Sequence, residues 1–165
     1  MDTLGWFHTA AAVTALASGA AVLTRRKGTR SHRRVGWVYA ASMLALNASA
    51  LLIYRLFGGF GPFHAAALVS LATLLGGMIP AVRRRPAHWY EHHYRFMTWS
   101  YVGLLAAAVS EVGTRVPGAR FWWAVLVGTA AVIGVGATLI RRREAPLLAP
   151  FRAAAARRAA RNASA

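Results

Sequence analysis

The sequence of 165 residues contains no cysteine and only four acidic residues. The absence of cysteine excludes disulfides, Cys-based zinc sites, iron–sulfur clusters and the CxxCH attachment of haem. The four acids stand against twenty Lys and Arg residues, which gives a formal charge of +16. In a soluble protein this imbalance would indicate nucleic acid as a partner. Here the basic residues lie in clusters between apolar runs, so they indicate membrane topology, and we expect no nucleic acid partner.

Long apolar runs dominate what remains: 57% of the residues are hydrophobic. Five segments, 3–24, 35–56, 62–82, 94–116 and 121–140, are long enough to cross about 30 Å of hydrocarbon as helices. The connections are short, and no change of composition marks a second soluble domain. We therefore predict an all-α integral membrane bundle of five transmembrane helices in residues 1–143. A cytoplasmic Arg/Ala-rich tail would follow in residues 144–165.

The distribution of basic residues predicts the orientation of the bundle. Seventeen lie on one predicted side, within 25–34, 83–95 and 141–161, against Arg55, Arg115 and Arg120 on the other. The positive-inside rule then places the N-terminus outside and the C-terminus in the cytoplasm. We expect a bacterial plasma (inner) membrane protein in the lipid bilayer, with a basic tail attracted to anionic lipid headgroups.

With this topology the histidines fall into two layers. The outer layer comprises His8, inside the first span, and His64, at the start of the third. His32 precedes the second span and His93 the fourth, so both lie near the inner face together with His88 and His92. Ser31 is the predicted N-cap of the second helix, which would put His32 in its first turn.

Glu111 in the fourth span is the candidate catalytic residue, because a charge inside an apolar helix is costly and suggests a functional site. If His93 faces inward, helical spacing puts Met97, Ser100 and Glu111 on the same stripe. Arg115, one turn further on, is the expected charge partner of Glu111. At its depth in the membrane Glu111 joins the outer layer.

Several motifs resemble a bacterial family of small predicted multi-pass membrane proteins of unknown function. They are Lys-Gly-Thr at 27–29 with His-Arg-Arg-Val-Gly at 32–36, Phe-Gly-Pro-Phe-His at 60–64, His93 with Met97, and Glu111 with Arg115. The resemblance covers about residues 5–116. Because that family has no established activity, the resemblance implies a fold and candidate positions only.

These positions leave several functions open, and the sequence does not decide whether the protein is an enzyme. A b-type haem redox protein would use His8 with His64 and His32 with His93 as axial ligands, with Met97 as an alternative ligand. This is the arrangement of diheme four-helix cytochromes resembling cytochrome b561.

The second possibility is a non-haem site in which His8, His64 and Glu111 hold zinc, iron or copper for membrane-embedded catalysis. The protein could also be a structural or accessory subunit of a membrane complex or a homo-oligomer, or move protons through Glu111. Finally, the string from His88 to His92 matches the HxxEH metalloprotease pattern, with Glu91 as base.

Overall fold

Five α-helices and no strand make up the residues that the computed structural model describes, which are 2–54, 58–85 and 88–163. The helices are α1 (Thr3–Thr24), α2 (Arg30–Leu52), α3 (Pro62–Arg83), α4 (Trp89–Gly113) and α5 (Phe121–Ala163). The predicted fold class is confirmed. In the described part, α1, α2, α3 and α5 are long and apolar enough to cross a membrane. The polar residues at both ends of α4 lower its hydropathy, and its crossing remains a prediction from its apolar run, which its packing between α3 and α5 supports.

The first four helices form a closed ring. Each packs against the next along the chain, and α1 also approaches α4, whereas no close backbone approach joins α1 to α3 or α2 to α4 among the described residues. Helices α2 and α4 meet instead through side chains that reach into the centre. By contrast, the backbone of α5 approaches α4 alone in the described part.

Local caps fix where the helices begin. Asp2 accepts a hydrogen bond from the Gly5 amide at 2.9 Å and caps α1. Thr29 accepts one from the His32 amide at 3.1 Å and caps α2. The prediction of Ser31 as this cap was wrong, because Thr29, two residues earlier in the chain, supplies the hydroxyl that accepts from the orphan His32 amide. The Ser31 hydroxyl instead accepts a hydrogen bond from Arg25 at 2.6 Å.

The centre of the ring is filled by aromatic side chains that lie against small residues of α1. Tyr39 of α2 is 1% exposed and its hydroxyl hydrogen-bonds that of Ser100 on α4 at 3.0 Å. Tyr101 reaches across to α1, where its hydroxyl donates to the Leu16 carbonyl at 3.3 Å. A side chain at Gly19 would collide with the Tyr101 ring, so only glycine lets these helices approach so closely.

Helix α5 continues for 43 residues and crosses the predicted end of its span at 140 without a break. Beyond that point it packs along the start of α4. Arg95 donates to Glu144 at 2.6 and 2.8 Å, and Arg152 donates to Glu91 at 2.8 Å. The hydrogen bond from Arg152 lowers the pKa of the Glu91 carboxyl. The segment predicted as a separate tail is thus docked on α4 at least as far as residue 152.

Two sequence-based interpretations fall outside the described residues. They concern Arg55, which we counted on the outer side, and the predicted end of the second span at residue 56.

Candidate functional site

The inner layer brings His32 and His93 together across the centre of the ring. Their ring centres lie 6.4 Å apart, and the ring planes are nearly perpendicular at 86°. His32 is in the first turn of α2 and His93 in the second turn of α4, so two helices that are not neighbours each contribute one imidazole. The close approach follows from the matched depth of the two residues on helices at opposite corners.

The hydrogen bond of His93 defines its tautomer. The Nδ1 atom lies 2.9 Å from the carbonyl oxygen of Gly77 on α3. Because a carbonyl can only accept, Nδ1 carries the proton, and in the neutral ring the lone pair is on Nε2. A backbone carbonyl on the other nitrogen is the usual support of a metal-binding histidine, because it fixes both tautomer and ring orientation.

His32 presents a buried nitrogen that no described residue satisfies. Its Nδ1 atom is buried and has no hydrogen-bond partner within the described ranges. A buried polar atom that stays unpaired lowers the stability of the fold by about 1–3 kcal/mol, so a partner for this nitrogen is expected. The unpaired Nδ1 of His32 and the Nε2 lone pair of His93 are therefore on the two rings whose centres lie 6.4 Å apart.

Met97 lies one turn after His93 and packs against Gly77. A Cβ atom on Gly77 would lie 2.7 Å from the Met97 sulfur, so the thioether fills the space that this glycine leaves. Met97 is partly buried against the core. His32, His93 and Met97 thus give the inner layer two imidazoles and one thioether, and none of these three residues is a carboxylate.

The other inner-face histidines do not join this group. His88 is the N-cap residue of α4, and both His88 and His92 are exposed. Glu91, the proposed base of the HxxEH string, accepts a hydrogen bond from Arg152. No cluster of three His, Asp or Glu residues suited to a metal ion occurs in ranges 2–54, 58–85 and 88–163. The arrangement lends the metalloprotease interpretation no support.

In the outer layer, His8 hydrogen-bonds to α2. Its Nδ1 atom lies 3.0 Å from the Ser49 hydroxyl, which itself donates to the Leu46 carbonyl at 2.9 Å. With the hydroxyl proton directed at the Leu46 carbonyl, the arrangement favours donation from His8 Nδ1, which leaves the lone pair on Nε2.

His64 has the opposite tautomer. It is 3% exposed, and its Nδ1 atom accepts a hydrogen bond from the Gly61 amide at 3.1 Å. In the neutral ring the proton is then on Nε2, which is buried and without a partner among the described residues. Because neither nitrogen has a free lone pair, this tautomer disfavours His64 as a ligand to haem iron or to another metal.

Glu111 lies at the surface of the helix bundle. Its side chain is 54% exposed and accepts a hydrogen bond from Arg115 at 2.5 Å. The expected pairing with Arg115 is present, and the carboxylate is near enough to His8 to interact with it electrostatically. The described residues do not, however, gather His8, His64 and Glu111 into a three-ligand metal cluster.

Two contributors to these layers were not foreseen from the sequence. Ser49 orients His8, and the backbone of Gly77 orients His93. Gly76 and Gly77 form a glycine pair in the apolar helix α3. A paired glycine in an apolar helix facing a histidine-bearing helix is a signal that could have drawn attention to this carbonyl.

The architecture and the polar interior define an α-helical membrane protein with imidazoles at both ends of its bundle. The chain matches the family described as Predicted membrane protein (DUF2306) over residues 5–148, and it belongs to that family. The match extends past the resemblance at 5–116 and includes much of α5. No curated protein and no solved structure shows significant similarity to the chain.

Proposed function

We propose that this protein is a membrane redox protein whose metal centre is bound by His32 and His93 near the predicted cytoplasmic face. The distance between the two rings carries the proposal. Two imidazoles that bind one metal through bonds of about 2.0–2.1 Å have ring centres up to about 6.5 Å apart. The observed separation is 6.4 Å.

The donor set favours haem b as the group. The porphyrin of haem supplies four of the iron's ligands, so His32 and His93 would suffice to hold it. Zinc or non-haem iron would require a third histidine or a carboxylate, and no three-residue cluster of that kind occurs in the described ranges. A haem held by His32 and His93 would supply electron transfer and not the binding of a substrate.

A copper(I) ion is the second candidate, and Met97 favours it. Thioether and imidazole ligands suit this soft ion, and a lone ion needs far less space than a porphyrin. Close packing of α3 against α4 limits that space, since a Cβ on Gly76 would lie 2.7 Å from the Phe96 ring. Haem b and copper(I) would both be bound by His32 and His93. They differ in the use of Met97 and in the space that they need.

The other sequence-based proposals have less support from the geometry. The His64 tautomer disfavours both a haem held by His8 and His64 and a metal site with Glu111. Location in a bacterial plasma membrane, with the N-terminus outside and basic residues on anionic lipid headgroups, remains part of the proposal. A purely structural role in a larger membrane complex or homo-oligomer would leave His32 and His93 without a metal.

The test is the optical spectrum and metal content of the purified full-length protein and four variants. Expression with a haem precursor and with copper should give either a reduced-haem spectrum or stoichiometric copper. His32→Gln and His93→Gln should each lose the bound group, while His92→Gln, one position away and exposed, should keep it. Glu111→Gln should also keep it.

The outcomes separate the alternatives. A group lost from Glu111→Gln but retained in the two inner-layer variants would contradict the proposal and favour the outer-layer site. Metal-free protein under all loading conditions would favour the structural role.

A further inference from the structure

His64 provides a hydrogen-bond donor that the inner metal centre does not use. Gly61 fixes the proton on Nε2, as derived above, and that N–H group is buried without a partner among the described residues. Buried donors are nearly always paired in native proteins, and an unpaired one marks the position of a missing acceptor. The missing partner must present a lone pair.

The partner is expected to be neutral. An anion would favour a doubly protonated imidazolium, but a proton on Nδ1 would break the hydrogen bond from the Gly61 amide. Since a backbone amide can only donate, the ring keeps its Nδ1 lone pair as long as that bond persists. A neutral carbonyl oxygen satisfies the Nε2 donor without adding charge to a buried site.

Aromatic rings form the surroundings of this donor. The ring centre of Tyr54 lies 4.6 Å from that of His64, and Phe60 lies at 5.2 Å, both at tilts near 30°. Tyr54 is 46% and Phe60 63% exposed, so an incoming flat molecule meets two accessible rings beside the buried N–H group. Such rings favour contact with planar conjugated groups.

The position along the bundle indicates where the acceptor comes from. His64 is in the first turn of α3, and Phe63 beside it contacts Phe121 at the start of α5, with ring centres 6.2 Å apart. The exposed Trp122 and Trp123 follow immediately, and exposed tryptophans mark the membrane–water interface. The donor therefore lies at the depth at which lipid esters and quinone head groups present their carbonyls.

We propose that His64, with Tyr54 and Phe60, binds the carbonyl oxygen of a membrane-borne molecule through Nε2–H. Two sources share this chemistry, namely an isoprenoid quinone head group and a phospholipid ester. The proposal does not depend on the inner metal centre, since none of its three residues belongs to that centre.

The experiment uses full-length protein in dioleoyl-phosphatidylcholine vesicles and records the infrared carbonyl stretch of isotope-labelled probes. One arm adds a short-chain ubiquinone labelled at its carbonyl carbons, and the other uses the same lipid labelled at its ester carbons. A hydrogen bond to His64 should lower the stretching frequency of one labelled carbonyl population in a saturable way. The arm that responds identifies the source.

Three variants make the test specific. His64→Phe keeps a flat ring without the donor and should weaken quinone binding about 3- to 10-fold, the loss expected for one hydrogen bond. His64→Gln retains an amide N–H at a similar reach and should keep most of the shift. His92→Phe removes an exposed histidine elsewhere and should behave as the unmodified protein.

Either of two results would overturn the proposal. One is the absence of a shifted carbonyl in both arms with the unmodified protein. The other is a shift that persists in correctly inserted His64→Phe. If that variant does not insert, the nitrogen NMR signal of His64 Nε2–H in the unmodified protein decides, because it must move when the responding probe is added and remain unchanged otherwise.

Discussion

The packing of α3 against α4 predicts opposite effects for alanine at two glycines. A Cβ on Gly77 would lie 2.7 and 2.9 Å from Met97 side-chain atoms and 3.2 Å from the Phe96 Cβ. Overpacking of this kind costs about 1–3 kcal/mol. Gly103 faces away from the bundle, and a Cβ there meets nothing within 4 Å. Both substitutions replace glycine in a helix interior, so the gain in helix propensity of about 1 kcal/mol is common to both.

The difference between the two variants isolates the packing contribution. Gly77→Ala should unfold with a free energy about 1–3 kcal/mol below that of Gly103→Ala, measured by SDS titration in mixed micelles. Gly77→Ala should also disturb the hydrogen bond from His93 and reduce retention of any bound metal, whereas Gly103→Ala should not. Equal unfolding free energies for the two variants would refute the close approach of α3 and α4.

Two further predictions concern the ends of the chain. A C-terminal reporter that works only in the cytoplasm should be active, and one that works only in the periplasm should be inactive. The reverse result would contradict the orientation derived from the basic residues. Because the pKa of Glu91 lies below its ordinary value of 4.5, its pair with Arg152 should contribute fully above that pH and be lost as the pH falls through the lowered value. Spin labels on α4 and the tail, placed in this naturally cysteine-free chain, should separate in that range. Arg152→Gln should separate them already at neutral pH, whereas Arg157→Gln should not.

The hydrophobic pattern predicted the helices well and their ends less well. Helix α1 begins and ends where the apolar run does, at Thr3 and Thr24. Helix α5 runs 23 residues past its predicted span to Ala163. Hydropathy identifies only the part of a helix that can enter lipid, while alanine and arginine extend it as good helix formers. The docking of this extension includes the pair of Glu91 with Arg152, which are 61 residues apart and which no local pattern reveals.

In the candidate site the sequence pattern likewise predicted the pair of His32 with His93 but not the exposure of Glu111. Matched depth was enough to pair His32 with His93, because both lie near the same end of a short-looped bundle. Glu111 occupies the same helix face as His93, five turns away, yet its side chain is exposed. Periodicity gives the face of a helix but not the neighbour that covers it. At this end α4 instead packs against α5, where Ser110 hydrogen-bonds Thr129 at 3.1 Å.

In the described part of the chain the backbone of α5 packs against α4 and against no other helix, and this has a consequence for biosynthesis. The first four helices complete their ring without it, since α1 closes against α4. During synthesis this ring can therefore assemble before the last third of α5 has left the ribosome, and His32 and His93 already face each other at that stage. The final helix would then be added to a finished bundle, with Glu91 and Arg95 as the docking points for its arrival.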